Sequence, residues 1–113
     1  MTRKQMNLLQ GTLDVLVMKA VAAEQRHGYA VADWIRRTTD GTLEIEDGAL
    51  YTALHRMEKR GWLRSEWGVS ENNRRAKYYA LTGSGRKELR RAEGEWNRYA
   101  AAVFKVLETE EGR

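Results

Sequence analysis

Three short amphipathic helical patterns, then two aromatic-rich stretches of period two, then one long helical repeat predict a mainly α (α+β) fold of the winged helix-turn-helix kind. The two strands would form a β wing, and the last repeat a long C-terminal dimerisation helix. The same order divides the chain into residues 1–82, a winged helix-turn-helix, and residues 83–113, a dimerisation helix, the two joined as one compact unit.

Each element has its own signal. Leu9, Leu13, Leu16, Val17, Ala20 and Val21 recur at helical spacing, with Asp14 and Lys19 off the stripe. His27 and Gly28 break the chain before a second helix marked by Val31, Trp34 and Ile35, which Gly41 closes. Leu43 and Ile45 straddle Glu44 as a short extended piece. Asp47 is the expected N-cap of the third helix, whose core face is Leu50, Leu54 and Met57 and whose stop is Gly61. Beyond Gly61 the period becomes two: Leu63, Trp67 and Val69 oppose Arg64 and Glu66, with a bulge or bend expected at Gly68. Ser70 to Arg75 reads as a turn, because Asn tolerates positive φ, and Ala76 to Leu81 as the return strand. Of Tyr78 and Tyr79 only one can face the core. Thr82 is the expected cap of a last helix from about Ser84 to Glu108, with Gly83 to Gly85 at its start. At ~1.5 Å per residue that helix is roughly 37 Å long, more than a core of this size can cover.

A length of 113 residues supports one modest core. Hydrophobic residues make up 42% of the chain, enough to argue for a folded domain although 32% is charged. The absence of Cys excludes thiolate metal sites and thiol nucleophiles. The longest apolar run, Tyr99 to Phe104, is far short of a membrane span, and no signal peptide is evident, so a cytoplasmic protein is expected. The formal net charge of +4 is unevenly spread: Arg56 to Arg91 carries eleven Lys and Arg against four Glu, while the segments on either side are net acidic. Such asymmetry points to a polyanion-binding face, the alternative being a solvated surface.

Double-stranded DNA is the expected polyanion. On the third helix Gly48, Ala49, Tyr51, Thr52, His55, Arg56 and Lys59 lie mostly off the apolar face. Gly48 and Ala49 would let backbone amides approach a phosphate, and Tyr51, Thr52 and Arg56 could reach phosphate or base edges. Core packing is the alternative for Tyr51, and a solvated face for Arg56 and Lys59. Asn72, Asn73, Arg74, Arg75 and Lys77 form a basic hairpin suited to the sugar-phosphate backbone or the minor groove. Arg86, Lys87, Arg90 and Arg91 would extend the track or simply face solvent. Leu89, Trp96, Ala100, Val103 and Leu107 give the last helix an apolar face, expected to pack on its mate and on helix 1 through Leu9, Leu13 and Leu16 as a homodimer.

The motifs resemble those of the PadR family of bacterial transcriptional regulators. LLQGTLDVLVMKAV from Leu8, HGYAVADWI from His27, GALYTALHRMEKRGWL from Gly48 and SENNRRAKYYALTGSGRKEL from Ser70 each match a family block in order, so the resemblance covers roughly Leu8 to Leu107. It implies a dimeric regulator, expected to be a repressor on a pseudo-palindromic promoter operator, and the compact size is similar to the subgroup with a single C-terminal dimerisation helix. Thr52 stands where the family often has Pro and Ala49 where it often has Ser or Thr, which removes one hydroxyl from the expected DNA face. Some relatives bind aromatic compounds at the dimer interface on a Trp of this helix. At Trp96 the resemblance therefore implies a small aromatic effector, with interface packing as the alternative.

No metal or cofactor is expected, since His27 and His55 are isolated. No nucleophile triad, phosphate loop or facing carboxylate pair suggests an enzyme. The competing expectation is a ligand-binding or protein-interaction module that keeps the winged-helix shape without sequence-specific DNA binding. Duplex binding that depends on salt would distinguish the two.

Overall fold

The computed structural model describes the backbone of residues 3–110 and side chains over residues 10–110. The order is α1 (Arg3–Ala23), β1 (Arg26–His27), α2 (Gly28–Thr38), α3 (Asp47–Lys59), β2 (Leu63–Val69), β3 (Arg75–Leu81) and α4 (Gly83–Leu107). Val17, Met18 and Val21 of α1, Val31 and Ile35 of α2, and Leu50, Leu54 and Met57 of α3 form one core with Leu63, Tyr79, Leu81 and Leu89. On α2 and α3 the core faces are those the helical spacing marks, whereas on α1 Met18, off the expected stripe, is fully buried and Asp14 is buried as well. Among the described residues no helix is long and apolar enough to cross a membrane.

The ends of the helices follow local chemistry. Gly61, at φ +81°, closes α3: its N–H donates to the Glu58 carbonyl and that of Trp62 to the Met57 carbonyl, each at 3.0 Å, which is the two-bond Schellman arrangement. Asp40 and Gly41 close α2 in the same way, both with positive φ. Thr82 caps α4, its Oγ1 accepting from the Gly85 N–H at 2.9 Å. That hydroxyl also donates to the Gly61 carbonyl at 2.6 Å, tying the start of α4 to the end of α3. A Cβ at Gly85 would overlap the Trp62 carbonyl, so glycine is required where the two segments cross. The cap of α3 differs from expectation. Glu46 is the N-cap, without a side-chain cap bond, and Asp47 lies in the first helical turn, where its charge still favours the dipole.

The sheet also holds two departures. It has three strands, ordered β1-β3-β2, because Arg26 and His27 pair with Tyr79 and Tyr78. A two-residue strand is too short to show a period. The β2–β3 ladder then runs without interruption from Leu63 opposite Leu81 to Val69 opposite Arg75, so Gly68 marks no bulge. Instead, a Cβ at Gly68 would lie 3.1 Å from the Tyr78 ring, which crosses the strand there and donates its hydroxyl to the Val69 carbonyl at 3.0 Å. Leu43 to Ile45 forms no strand. Tyr79 is the inward tyrosine, at 3% exposure.

Candidate nucleic-acid interface

The outer face of α3 follows from its core face. With Leu50, Ala53, Leu54 and Met57 buried, Gly48, Thr52, His55 and Lys59 are exposed on the opposite side. The first bond of the helical ladder is Leu50 N–H to the Glu46 carbonyl at 3.0 Å. The amides of Asp47, Gly48 and Ala49 therefore precede the ladder at the positive end of the helix, where an anion is favoured. Glu46 and Asp47 add negative charge beside them.

Tyr51 is half exposed, and its position depends on α2. A Cβ at Gly28 would lie 2.5 Å from the Tyr51 hydroxyl oxygen and 2.7 Å from the ring, so glycine there lets the tyrosine lie against the start of α2. Neither core packing nor free solvation describes it: one side of the ring is seated and the other open.

Arg56 departs from the expected free cation. Its Nη1 and Nη2 donate to Asp14 Oδ2 and Oδ1 at 2.7 and 2.8 Å, a bidentate pair joining α1 to α3. Asp14 is buried and the guanidinium is only 25% exposed. Hydrogen bonding to Asp14 raises the guanidinium above its usual range. Arg56 is thus a brace between α1 and α3 behind the exposed face of α3, a pairing invisible to helical spacing because Asp14 lies 42 residues earlier.

The hairpin turn is built from Glu71, Asn72 and Asn73, with Asn73 at φ 59° as its two Asn residues suggested. Ser70 N–H donates to the Arg74 carbonyl at 2.7 Å and Asn73 N–H to the Ser70 carbonyl at 2.8 Å. Asn72, Asn73, Arg74 and Arg75 are all exposed. Arg75 lies 4.5 Å above the Trp67 ring, a cation-π contact that preorganises the guanidinium. Lys77 is less free: its Nζ is 3.4 Å from Glu58 Oε1. Glu58 also accepts from the Ser65 hydroxyl at 2.6 Å, and this bond, with help from Lys77, holds its carboxyl below the usual range.

These parts meet across one cleft of about 740 Å³. Tyr51 and His55 line it from α3; Trp67, Arg74, Arg75 and Lys77 line it from the wing. Gly48, Ala49, Thr52 and Lys59 continue the exposed surface of α3 beyond it, and Arg56 stands apart. Trp67, His27, Tyr29 and Glu71 also line it, although none of them was expected on the DNA face. The alternation of β2 places Trp67 on the side of Leu63, but the core ends before it, leaving the indole 58% exposed. His27 closes the N-terminus of α2, and Tyr29 is 71% exposed beside it.

A helix with an open polar face, set across a groove from a basic hairpin, is the arrangement of a winged-helix DNA reader. The sequence profile of the transcriptional regulator PadR-like family matches residues 17–91, two thirds of the chain. The chain belongs to the PadR-like family. A PadR family transcriptional regulator from Eggerthella lenta is 34% identical, with 95% of this chain and 91% of that one covered at a TM-score of 0.72. A transcriptional regulator from Clostridium thermocellum is 28% identical over 88% of this chain and 93% of its own, at a TM-score of 0.77. An uncharacterised protein of Lysinibacillus sphaericus is 26% identical over 90 residues, 80% of this chain and 83% of that protein. The PadR-like fold places the cleft on a DNA-binding transcriptional regulator, in a family of regulators rather than enzymes.

On α4 of this PadR-like chain the expected interface residues divide. Leu89 is 6% exposed and belongs to the chain's own core, not to a free face, because α4 packs chiefly on α1 and also touches β3. Leu13 and Leu16 are partly buried against that core. Leu9, expected at the same interface, has its side chain outside the described residues. Ala100 and Val103 are half-buried, and Leu107 is 71% exposed beside Phe104 at 60%. Trp96 is 37% exposed, and its Nε1–H donates to Thr12 Oγ1 at 2.8 Å, fixing α4 on α1.

Proposed function

We propose that the chain is a homodimeric repressor that occupies a pseudo-palindromic promoter operator. The observation that carries this reading is the cleft in which Tyr51 and His55 of α3 face Arg74, Arg75 and Lys77 of the wing. One sugar-phosphate backbone would run through it, with α3 in the major groove on one side and the wing at the neighbouring minor groove on the other. Gly48 and Ala49 offer amides to phosphate. Thr52, His55 and Lys59 face the bases or the adjoining backbone. Asn72, Asn73, Arg74 and Arg75 take the sugar-phosphate chain, and Tyr51, seated on Gly28, is held for a phosphate or base contact.

Residues 1–82 carry this reading surface, and residues 83–113 supply the mate. Phe104, Val106 and Leu107 are 60–73% exposed near the end of α4, and burying one such side chain contributes ~1.5–3 kcal/mol. A second copy packed along this helix with Trp96, Ala100 and Val103 would cover them and set two cleft copies about one DNA turn apart, ~34 Å. Trp96 serves that interface; its indole N–H is already bonded to Thr12. Binding at a promoter then represses by excluding polymerase in the cytoplasm.

The test is binding to the duplex upstream of its own gene against random duplex at fixed salt. Tighter binding to the former, from a protein that sediments as a dimer, is expected. Changing Arg74 and Arg75 together to Ala should lower the salt dependence by about two phosphate equivalents, a change in slope of ~1.8. Equal affinity for both duplexes would end the regulator reading, and an unchanged slope would remove the wing from the contact.

A further inference from the structure

His27 stands where β1, the start of α2 and the β2–β3 hairpin meet. The ring is 7% exposed. Its Nδ1 accepts the Ala30 backbone N–H at 3.2 Å, closing the N-terminus of α2. A ring nitrogen that accepts carries no proton, so the neutral imidazole holds its proton on Nε2. That nitrogen lies 2.9 Å from Glu71 Oε1, and an ionised carboxylate only accepts, so the Nε2–H donates to Glu71. The ring is also held edge-on to Tyr78, at 5.2 Å between centroids, through the pairing of His27 with Tyr78 in the sheet.

Glu71 begins the turn that presents Asn72 to Arg75. The hydrogen bonds of Ser70, Asn73 and Arg74 lie within the hairpin, so they shape the turn without fixing it relative to the helices. The bond to His27 spans 44 residues and joins the turn to the start of α2. It also accounts for an acidic residue in a turn otherwise suited to polyanions: the carboxylate is engaged by the imidazole, which holds it below the usual range.

The geometry points to His27 as a positioning residue for DNA binding: through its Nε2–H bond to Glu71 it latches the wing turn to the N-terminus of α2, fixing the width of the cleft between Tyr51 and Arg75. This role rests on the DNA-binding reading of that cleft. A latch of this kind restrains the wing before DNA arrives, so less ordering remains to oppose association.

Four full-length variants separate the latch from the cap. Glu71→Gln keeps an acceptor and removes the charge, and Glu71→Ala removes both. His27→Asn keeps an oxygen to accept from Ala30 but is too short for Glu71, and the fourth variant combines His27→Asn with Glu71→Ala. Without DNA, 15N ring shifts should place the His27 proton on Nε2. Backbone 15N relaxation should show residues 72–75 loosened in Glu71→Ala and His27→Asn and ordered in Glu71→Gln. With a random-sequence duplex at fixed salt, the two loosened variants should bind about 2- to 10-fold more weakly than Glu71→Gln, as expected for one hydrogen bond, and the double variant no more weakly than either single one. A proton on Nδ1, unchanged order in Glu71→Ala, or additive losses in the double variant would overturn the latch. Glu71 is an exposed turn residue, so its two variants decide the matter even if His27→Asn does not fold. If the order changes appear but the unmodified protein binds no duplex, the latch stands as a structural device, and its role in DNA binding falls with the cleft reading.

Discussion

Replacing Arg56 with Ala separates a DNA contact from an internal brace. The guanidinium makes two hydrogen bonds to Asp14, at 2.7 and 2.8 Å, with side-chain exposures of 25% and 11%. Removing the cation leaves the Asp14 carboxylate buried without its partner. A fully buried pair broken in this way costs ~3–5 kcal/mol, and the open edge of Arg56 lets water recover part of that, so a loss of roughly 2–3 kcal/mol is expected. For a chain of this size the loss lowers the thermal midpoint by roughly 8–12 °C. Urea unfolding at fixed protein concentration measures it directly, and the slope of duplex affinity against salt, taken well below the unfolding transition, should not change. Replacing Asp14 and Arg56 together by Ala and Met should recover part of the stability, because no charge is then stranded. An Arg56→Ala protein as stable as the original, with a salt slope lower by about 0.9, would refute the brace and return Arg56 to the DNA face.

Trp67→Ala removes the platform under Arg75 and should weaken duplex binding by about 2- to 5-fold with little change in salt slope, since the charge remains while its preorganisation is lost; fluorescence anisotropy titrations at several salt concentrations measure both. Gly28→Ala drives a methyl group into the Tyr51 ring and should destabilise the fold by ~1–3 kcal/mol in urea while weakening duplex binding; a neutral result would mean that Tyr51 relaxes without cost. Glu58, held below its usual range first by Ser65, is depressed in the folded state, so its contribution to stability is present above the unfolded carboxyl range and is lost as pH falls through the folded value. Ser65→Ala should move that titration upward, seen in the 13C carboxyl signal of Glu58, and should reduce the stability lost on acidification.

Local chemistry was legible wherever a period or a cap spans neighbouring residues. Leu50, Leu54 and Met57 mark the buried face of α3 because helical spacing repeats every three to four residues, and Thr82 and Gly61 announce helix ends through bonds to residues a few positions away. The Asn-rich turn was legible for the same reason, as Asn73 needs only its own backbone to adopt positive φ. The strand at Arg26 and His27, the close seat of Tyr51 on Gly28 and the burial of Leu89 were not, since each depends on a partner remote in the chain. Gly68 looked like a bulge because glycine in a strand carries two meanings, and only the Tyr78 ring chooses between them.

The sequence by itself determined the order of the four helices and the two wing strands, the faces that α2 and α3 bury and the stretch that concentrates positive charge, because these rest on periodicity and composition along the chain. The tertiary structure decided which charges are free. Arg56 and Lys77 share the basic stretch with Arg74 and Arg75, yet Asp14 engages the first and Glu58 the second, while Trp67 props Arg75 into the cleft. Charge is a property of a residue, but its availability is a property of whatever lies within about 4 Å, and that distance is set by folding.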